Sequence, residues 1–319
     1  MALLSIFKKK YDYMKMIGKI GLGIAVLAIS AISINAVQDA PTDENFEKKL
    51  VNDYNVYALP LPEKMDFAGE AVPLKNPDIR ERMDRELLVN TYWQSNGLLL
   101  FKRANKYFPQ IEPLLKKYGL PDDFKYLAVA ESGLEYQSSP AGASGIWHFM
   151  KGTGLEYGLE INDYVDERYN LEKATMVAAE YLKKSKEKFG SWTMAAASYN
   201  AGVGGMNKQI NRQKETSYYD LLLNDETSRY VFRILALKEI MTHPQQYGFN
   251  FREKDLYTNI PTFTVKVDTP VEDWAEWVKP YGINYKILKL HNPWLRDTYL
   301  KNASGKEYFI EIPEKGYYQ

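Results

Sequence analysis

The chain has 319 residues with 41 basic and 41 acidic side chains, so its formal net charge at neutral pH is zero. Apolar residues make up 45% and charged residues 26%, as in an ordinary globular protein, and the length allows about two domains. A neutral chain lacks the basic surface of a nucleic-acid-binding protein. A chain without cysteine has no disulfide framework, thiol nucleophile or thiolate metal site.

The first 36 residues predict an exported protein. Five lysines, the last of them Lys19, precede an apolar run from Ile20 to Ile34, and Ala36 offers a small residue for cleavage. This is the layout of a secretory signal, and the run is short for a bilayer span of about 20 residues. We therefore expect residues 1–36 to be a signal peptide or N-terminal membrane anchor, with the body of the protein in the periplasm or cell envelope.

Residues 37–76 are interrupted by prolines at positions 60, 62 and 73. Proline fixes its own φ and donates no backbone hydrogen bond, so three of them prevent a long regular element. We predict that this segment is an extended arm that lies on the main domain and carries no chemistry.

Residues 77–250 predict an all-helical domain. Ile79, Met83 and Leu87 recur every four residues with charged side chains between them, which is typical of an amphipathic helix. Further helices are expected over residues 98–107, 109–118, 124–131, 171–189, 192–199 and 226–241. Asn170 and Ser191 are the expected N-caps of two of them. The region between residues 78 and 243 shows no strand pattern, so the predicted fold class is mainly α.

One of these helices carries an acid on its inner side. Four residues at helical spacing share that side: Phe124, Leu127, Ala128 and Glu131. Gly133 ends the helix. Burial and the negative end of the helix dipole both raise the pKa of a carboxyl group placed there, which suits a general acid. A glutamate buried in a structural network gives the same pattern, and this segment alone does not separate the two interpretations.

Other kinds of catalysis find little support in the sequence. His148, His243 and His291 are isolated from one another and no cysteine accompanies them, so we expect no metal site. The glycines of residues 202–205 follow a helix and no Gly-Lys-Ser/Thr is present, which argues against a phosphate loop. Residues 142–145 do not form a nucleophile elbow. Carboxylate chemistry without a cofactor remains, and carbohydrate is the natural substrate for an exported, tyrosine-rich helical protein.

Four short motifs occur in the order and spacing of a known family. They are Glu131-Ser132, Gly145-Ile146-Trp147-His148, Ser198-Tyr199-Asn200-Ala201-Gly202 and Glu226-Thr227-Ser228-Arg229-Tyr230-Val231. They resemble the E-S, G-x-W-Q, A-Y-N-A-G and E-T-x-x-Y-V motifs of lytic transglycosylases that have a lysozyme-like catalytic domain, also called the SLT domain. Each motif alone is a weak signal, whereas four in order are specific. The resemblance covers residues 66–250 and implies a lysozyme-like domain at residues 77–250.

The resemblance implies cleavage of the β-1,4 bond between N-acetylmuramic acid and N-acetylglucosamine in peptidoglycan glycan strands. Glu131 would protonate the bridging oxygen and then act as base on the C6 hydroxyl, which closes a 1,6-anhydro ring. A hydrolase normally needs a second carboxylate, and this reaction does not. The alternatives are a muramidase-type hydrolase on the same fold and a catalytically inactive peptidoglycan-binding protein. We expect a monomer with no nucleic-acid partner, and the N-terminus offers a route to membrane association.

Seven residues form the substrate-binding set that the resemblance implies: Ser132, Gly145, Trp147, His148, Tyr199, Asn200 and Tyr230. Several of them also have a structural interpretation. Tyr199 and Asn200 lie at a helix end and can be buried caps. Tyr230 can be an ordinary core tyrosine, whereas the resemblance places its hydroxyl near Glu131. Trp147 is either core packing or a platform for stacking a sugar.

The remaining motif residues carry more specific expectations. Ser132 is expected to hold the loop after the catalytic helix, and Gly145 to allow close approach of two backbone segments. Relatives usually carry glutamine where this chain has His148, whose imidazole can also take a charge near pH 6. Glu135 is expected to be a surface residue rather than a second catalytic carboxylate.

Residues 260–315 predict a small β-α-α-β module. Its expected elements are a strand with alternating Phe263, Val265 and Val267, helices over residues 271–281 and 285–291, and a strand over residues 308–312. This order, with the run Leu290-His291-Asn292-Pro293, resembles a LysM domain, although Val267-Asp268-Thr269-Pro270 replaces the opening G-D-T. Glycan binding is one hypothesis for the module. The other is a structural cap on the catalytic domain.

Overall fold

A computed structural model describes residues 56–318, apart from the side chains of residues 94 and 95. The predicted signal peptide or anchor at residues 1–36 and the first part of the arm, residues 37–55, lie outside the described residues. From Ala58 onward the chain forms one compact unit.

Ten α-helices and four short strands are present within residues 56–318. The helices are α1 (Pro77–Tyr92), α2 (Gln94–Lys117), α3 (Phe124–Ser132), α4 (Lys151–Glu156), α5 (Leu171–Phe189), α6 (Trp192–Ala201), α7 (Val203–Gln213), α8 (Asp225–Thr242), α9 (Trp274–Trp277) and α10 (Tyr285–His291). The strands are β1 (Asp66–Phe67), β2 (Glu70–Ala71), β3 (Thr262–Val267) and β4 (Tyr308–Pro313). The mainly helical class, followed by a small module with a two-stranded sheet, is confirmed.

The helix α2 differs from the prediction of two separate helices. Pro109 and Pro113 lie inside it, although an internal proline costs a helix about 3 kcal/mol. Phe101, Ile111 and Leu115 are buried on one face of the helix. Each such side chain contributes roughly 1.5–3 kcal/mol when it is removed from water, so packing offsets the cost of both prolines. The predicted break near residue 108 is therefore wrong.

The helices that follow begin at the residues that the sequence indicates. The Asn170 side chain accepts a hydrogen bond from the Lys173 amide at 3.1 Å, and α5 begins there. The Ser191 hydroxyl accepts one from the Met194 amide at 3.1 Å, at the start of α6. The helix α7 was not predicted, because the glycines of residues 202–205 hide its beginning.

The helix α8 lies at the centre of the helical domain and contacts α1, α3 and α6. Its buried side includes Tyr230, Ile234 and Leu237, as its period predicts. Because α3 packs directly against α8, the glutamate of one helix and the tyrosine of the other face each other.

The described part of the arm contains a short hairpin. The strands β1 and β2 pair antiparallel, with Asp66 opposite Ala71. Phe67 is fully buried in the core of the helical domain. The Glu70 carboxylate accepts hydrogen bonds from the Trp192 and Thr193 amides at 2.6 and 2.9 Å, where the positive end of the α6 dipole favours an anion.

The C-terminal module has the predicted order of elements. The strands β3 and β4 pair antiparallel, with Phe263 opposite Ile312 and Val267 opposite Tyr308. The helix predicted over residues 271–281 is shorter, because α9 is followed by a 3-10 turn at Lys279–Tyr281 that contains a proline. Within residues 56–318, none of the helices has both the length and the apolar character needed to cross a bilayer.

Candidate active site

Glu131 is the next-to-last residue of α3, and Gly133 ends that helix with φ +60°. Phe124 and Leu127, on the same side of the helix, are fully buried. The side chain of Glu131 is 16% exposed. Its carboxyl group is therefore largely withdrawn from water and still reachable from solvent.

The hydroxyl of Tyr230, on α8, donates a hydrogen bond to Oε1 of Glu131. Burial raises the pKa of Glu131 to about 7, while the Tyr230 hydrogen bond and the charge of Arg233 act in the opposite direction. A group with such a pKa holds a proton about half of the time near pH 7. It can both give up a proton and take one back at that pH.

His148 lies on the other side of the Glu131 carboxyl group. Its Nδ1 is 3.7 Å from Oε2 of Glu131, and its backbone has φ +51°. The Nε2 atom is buried, and no hydrogen bond from the described chain reaches it. Burial lowers the pKa of His148, so the ring charges at a more acidic pH than a free imidazole and is neutral at pH 7.

A turn of backbone at residues 144–149 places His148 there. Gly145 has φ +79°, and a Cβ on it would lie 1.9 Å from the carbonyl oxygen of Arg168, so only glycine fits. The buried Ser132 hydroxyl donates to the Ile146 carbonyl at 2.8 Å and accepts from the Leu134 amide at 3.1 Å. Ser132 thus holds the loop to the end of α3 and is not positioned to bind substrate.

Trp147 belongs to the core and not to the substrate surface. Its side chain is 0% exposed, and its Nε1 donates to the Thr175 hydroxyl at 2.9 Å. A ring with no exposed face cannot stack on a sugar. The burial of Trp147 therefore favours the core-packing interpretation over the sugar platform.

Tyr199 and Asn200, at the end of α6, are both partly buried. The Tyr199 hydroxyl donates to the Trp147 carbonyl at 2.7 Å, and the negative charge of Glu131 contributes to raising the pKa of Tyr199. The side-chain oxygen of Asn200 accepts a hydrogen bond from the Thr227 hydroxyl at 2.9 Å. These bonds connect α6 to the His148 loop and to the first turn of α8.

Two arginines near the site were not found from the sequence. Arg233 lies one turn after Tyr230 on α8, and its charge acts on Glu131. Arg168 follows Asp166 and Glu167, so the local sequence looks like an ordinary run of surface charges. It is in fact buried, and only its distant partners along the chain reveal its position.

Neither Glu226 nor Glu135 is a buried partner of Glu131. Glu226 also raises the pKa of Glu131, but it is 57% exposed and is paired with Arg233 at 3.1 Å. Glu135, expected at the surface, is 42% exposed and is paired with Arg103. At this site the largely buried acid is therefore Glu131, with a hydroxyl on one carboxyl oxygen and an imidazole near the other.

Residues 109–222 match the family model described as the transglycosylase SLT domain, and residues 263–316 match the soluble lytic transglycosylase C-terminal LysM-like domain. The chain therefore contains an SLT transglycosylase domain followed by a LysM-like domain, which confirms the resemblance carried by the four motifs. The SLT match includes Glu131, His148 and Tyr199 and ends before Tyr230.

The chain is also similar to two curated proteins. It is 30% identical over 258 residues to the membrane-bound lytic murein transglycosylase D of Escherichia coli (strain K12), and equally to that of Escherichia coli O6:H1. The aligned region covers 78% of this chain and 55% of each relative. The chain thus spans about half the length of the curated relatives that it matches.

Proposed function

We propose that this protein is a peptidoglycan lytic transglycosylase, which cleaves the β-1,4 bond between N-acetylmuramic acid and N-acetylglucosamine and leaves 1,6-anhydro ends. The observation that carries the proposal is the carboxyl group of Glu131, buried at a helix end with a pKa of about 7 and bonded to Tyr230. The SLT match and the names of the relatives support the same substrate class.

The proposed reaction uses Glu131 twice. Its carboxyl group first gives its proton to the bridging oxygen, and the bond from that oxygen to C1 of the muramoyl sugar breaks. The resulting carboxylate then takes the proton of the C6 hydroxyl, whose oxygen bonds to C1 and closes the anhydro ring. The proton is restored to Glu131, no water is consumed, and a pKa near 7 suits both steps.

Tyr230 and His148 have separate roles in this proposal. The Tyr230 hydroxyl stabilises the carboxylate form of Glu131 between the two proton transfers, because a hydrogen bond to an ionised acceptor is stronger than one to a neutral acceptor. The His148 ring is 13% exposed beside the Glu131 carboxyl group, and its role in the proposal is to contact a polar group of the sugar. Asn200 and Tyr199 complete the proposed site from the end of α6.

We further propose that the mature protein acts in the cell envelope as a monomer. The lysine-rich start and apolar run of residues 1–36 support export, and the Escherichia coli relatives are named as membrane-bound proteins. The LysM-like domain is proposed to contact the same glycan strands. The catalytic reaction itself requires no nucleic acid, metal or cofactor.

A muramidase-type hydrolase is the second candidate, because Glu226 is a carboxylate whose charge reaches Glu131. Digestion of purified sacculi by the full chain, followed by mass spectrometry of the released muropeptides, tests both. A transglycosylase gives products one water lighter than those of a muramidase, and Glu131→Gln should release none. Hydrated products with reducing ends would assign the hydrolase instead. Binding of sacculi without release by the unaltered protein would indicate an inactive binding protein.

A further inference from the structure

Residues 160–169, which we call the linking segment, belong to the helical domain and make non-covalent contacts with the C-terminal module. The Asp166 amide donates a hydrogen bond to the Trp294 carbonyl of the module at 2.9 Å, and Val165 pairs with Leu295 as an isolated β-bridge. Val165 is fully buried, and its neighbours there are the apolar core residues of the module. The linking segment is thus packed as an additional edge of the module.

Charged side chains fix the two ends of the linking segment to the module. Lys306 forms ion pairs with Glu160 and, at 3.3 Å, with Glu167. The Tyr308 hydroxyl donates to Glu160 at 3.0 Å. Glu167 is buried and has a second cation, Lys173 of α5. A buried carboxylate needs such partners, because an unpaired one is strongly destabilising.

Arg168 extends the same segment toward the active site. The guanidinium group donates through Nε and Nη2 to the Asp166 carboxylate at 3.0 and 2.7 Å. Its Nη1 donates to the carbonyls of Gly142 and Phe149 at 2.9 and 3.1 Å. These two carbonyls lie on either side of the loop that carries His148. Only the planar fork of arginine offers donors in directions that serve an acid and two carbonyls together.

The loop that Arg168 holds lies beside the proposed catalytic acid, Glu131. The Ser132 hydroxyl holds its backbone to α3, and His148 brings its Nδ1 to 3.7 Å from Oε2 of Glu131. His148 itself has φ +51°, an uncommon backbone conformation that persists only where neighbouring contacts hold it. If Arg168 released the two carbonyls, we would expect His148 to move and Glu131 to become more exposed to water than its present 16%.

We propose that Arg168 is a positioning residue for Glu131 and His148, and that the C-terminal module keeps Arg168 in place through the linking segment. The module is then a part of the active-site scaffold, in addition to any contact that it makes with glycan. This inference rests on the proposed function, since it concerns how the same site is kept in shape.

Two substitutions in the full chain test the proposal, Arg168→Lys and Lys306→Met. Lysine keeps a charge beside Asp166 but cannot serve both carbonyls, and we expect kcat to fall about tenfold or more. Lys306→Met loosens the module while Arg168 remains, and we expect a fall of about threefold. Binding of sacculi should stay within about twofold of the unaltered protein, because the other sugar contacts remain. All rates are measured well below the Tm of each variant.

A second readout does not depend on turnover. Carbon-13 NMR titration of Glu131 should give a pKa about one unit lower in both variants, because water reaches a carboxyl group that the loop no longer covers. The matched control is Lys266→Met, on the same module, where the lysine is half-exposed and pairs with Asp268 at 3.1 Å and Glu307 at 3.0 Å, both of them residues of the module and not of the linking segment. It should leave both kcat and the pKa of Glu131 unchanged.

The proposal is wrong if both variants lose thermal stability but keep the kcat and the Glu131 pKa of the unaltered protein. If Arg168→Lys does not fold, Lys306→Met decides alone, because that side chain is 39% exposed and Glu167 keeps its second cation. If the unaltered protein releases no product, the proposed function fails. The Glu131 pKa of the variants still tests the positioning role in that case.

Discussion

The hydroxyl of Tyr230 donates a hydrogen bond to Oε1 of Glu131 across the contact between α8 and α3. Both side chains come from buried helix faces, since Tyr230 is 1% exposed and Glu131 lies one turn after the buried Leu127 and Ala128. Two rigid helices therefore fix the acid and its donor, and the carboxyl group needs no flexible loop on that side.

The first prediction concerns this hydrogen bond. The Tyr230→Phe variant should show a pKa of Glu131 above about 7, because the Tyr230 bond lowers that pKa in the native protein. A hydrogen bond to a charged group contributes roughly 1.5–3 kcal/mol, so kcat at pH 7 should fall about tenfold or more. NMR titration of Glu131 and rates of muropeptide release measure the two effects. A pKa that moves downward in the variant would show that Tyr230 does not stabilise the carboxylate.

The spacing of apolar residues in the sequence correctly predicts the buried sides of α3 and α8, which carry Glu131 and Tyr230. A helix whose apolar residues recur every three or four positions has one side to bury, so the inward direction of Glu131 and Tyr230 follows from their neighbours. Trp147 has no such pattern around it. Its complete burial depends on α5, which supplies Thr175, and only the three-dimensional contact reveals it.

Arg168 could not be predicted for a related reason. Its partners Gly142 and Phe149 lie 26 and 19 residues away along the chain, and its neighbours in sequence are charged. The joining of the two helices predicted around Pro109 into α2 is a similar case, because packing outweighs local propensity there. Contacts between distant residues, rather than local patterns, determine both features.

The second prediction concerns Gly145. The Gly145→Ala variant should lose more than about 2 kcal/mol of stability, because φ is +79° and the new Cβ would lie 1.9 Å from the Arg168 carbonyl oxygen. Gly152, in α4, is the matched control, since its Cβ would meet nothing within 4 Å. Gly152→Ala should be neutral or stabilise by up to about 1 kcal/mol. Urea denaturation of both variants measures the difference, and equal losses would refute the close approach.

The third prediction concerns the pH dependence of stability. The pKa of Glu131 rises from 4.5 in the unfolded chain to about 7 in the native protein, so the native state binds more protons between these pH values. Its stability should therefore fall as the pH increases from about 4.5 to 7, by roughly 3 kcal/mol at most. The Glu131→Gln substitution removes the titrating carboxyl group, and with it this loss of stability, but keeps an oxygen that accepts the Tyr230 hydrogen bond. The variant should be more stable than the native protein at pH 8 and gain little at pH 4.5.

Calorimetric Tm values of the native protein and of Glu131→Gln at several pH values test this directly. Glu135→Gln is a suitable control, because that carboxylate is half-exposed and outside the site. An equal stabilisation by Glu131→Gln at pH 4.5 and pH 8 would mean that the carboxyl group does not change its proton affinity on folding.

The fourth prediction concerns His148, which takes the place of the glutamine in the G-x-W-Q motif that residues 145–148 resemble. Burial lowers the pKa of His148, so at pH 7 the neutral ring offers both a donor and an acceptor, and the glutamine amide likewise has N–H donors and a carbonyl acceptor. The His148→Gln variant should therefore keep its activity at pH 7 within about threefold, whereas His148→Ala should lose about tenfold or more, because the alanine leaves no polar partner for the sugar. Muropeptide release by the three proteins, measured at equal folded concentration, tests this.

Activity in His148→Gln with none in the native protein would identify the histidine as the cause of an inactive site. Full activity in His148→Ala would remove His148 from the proposed substrate contacts.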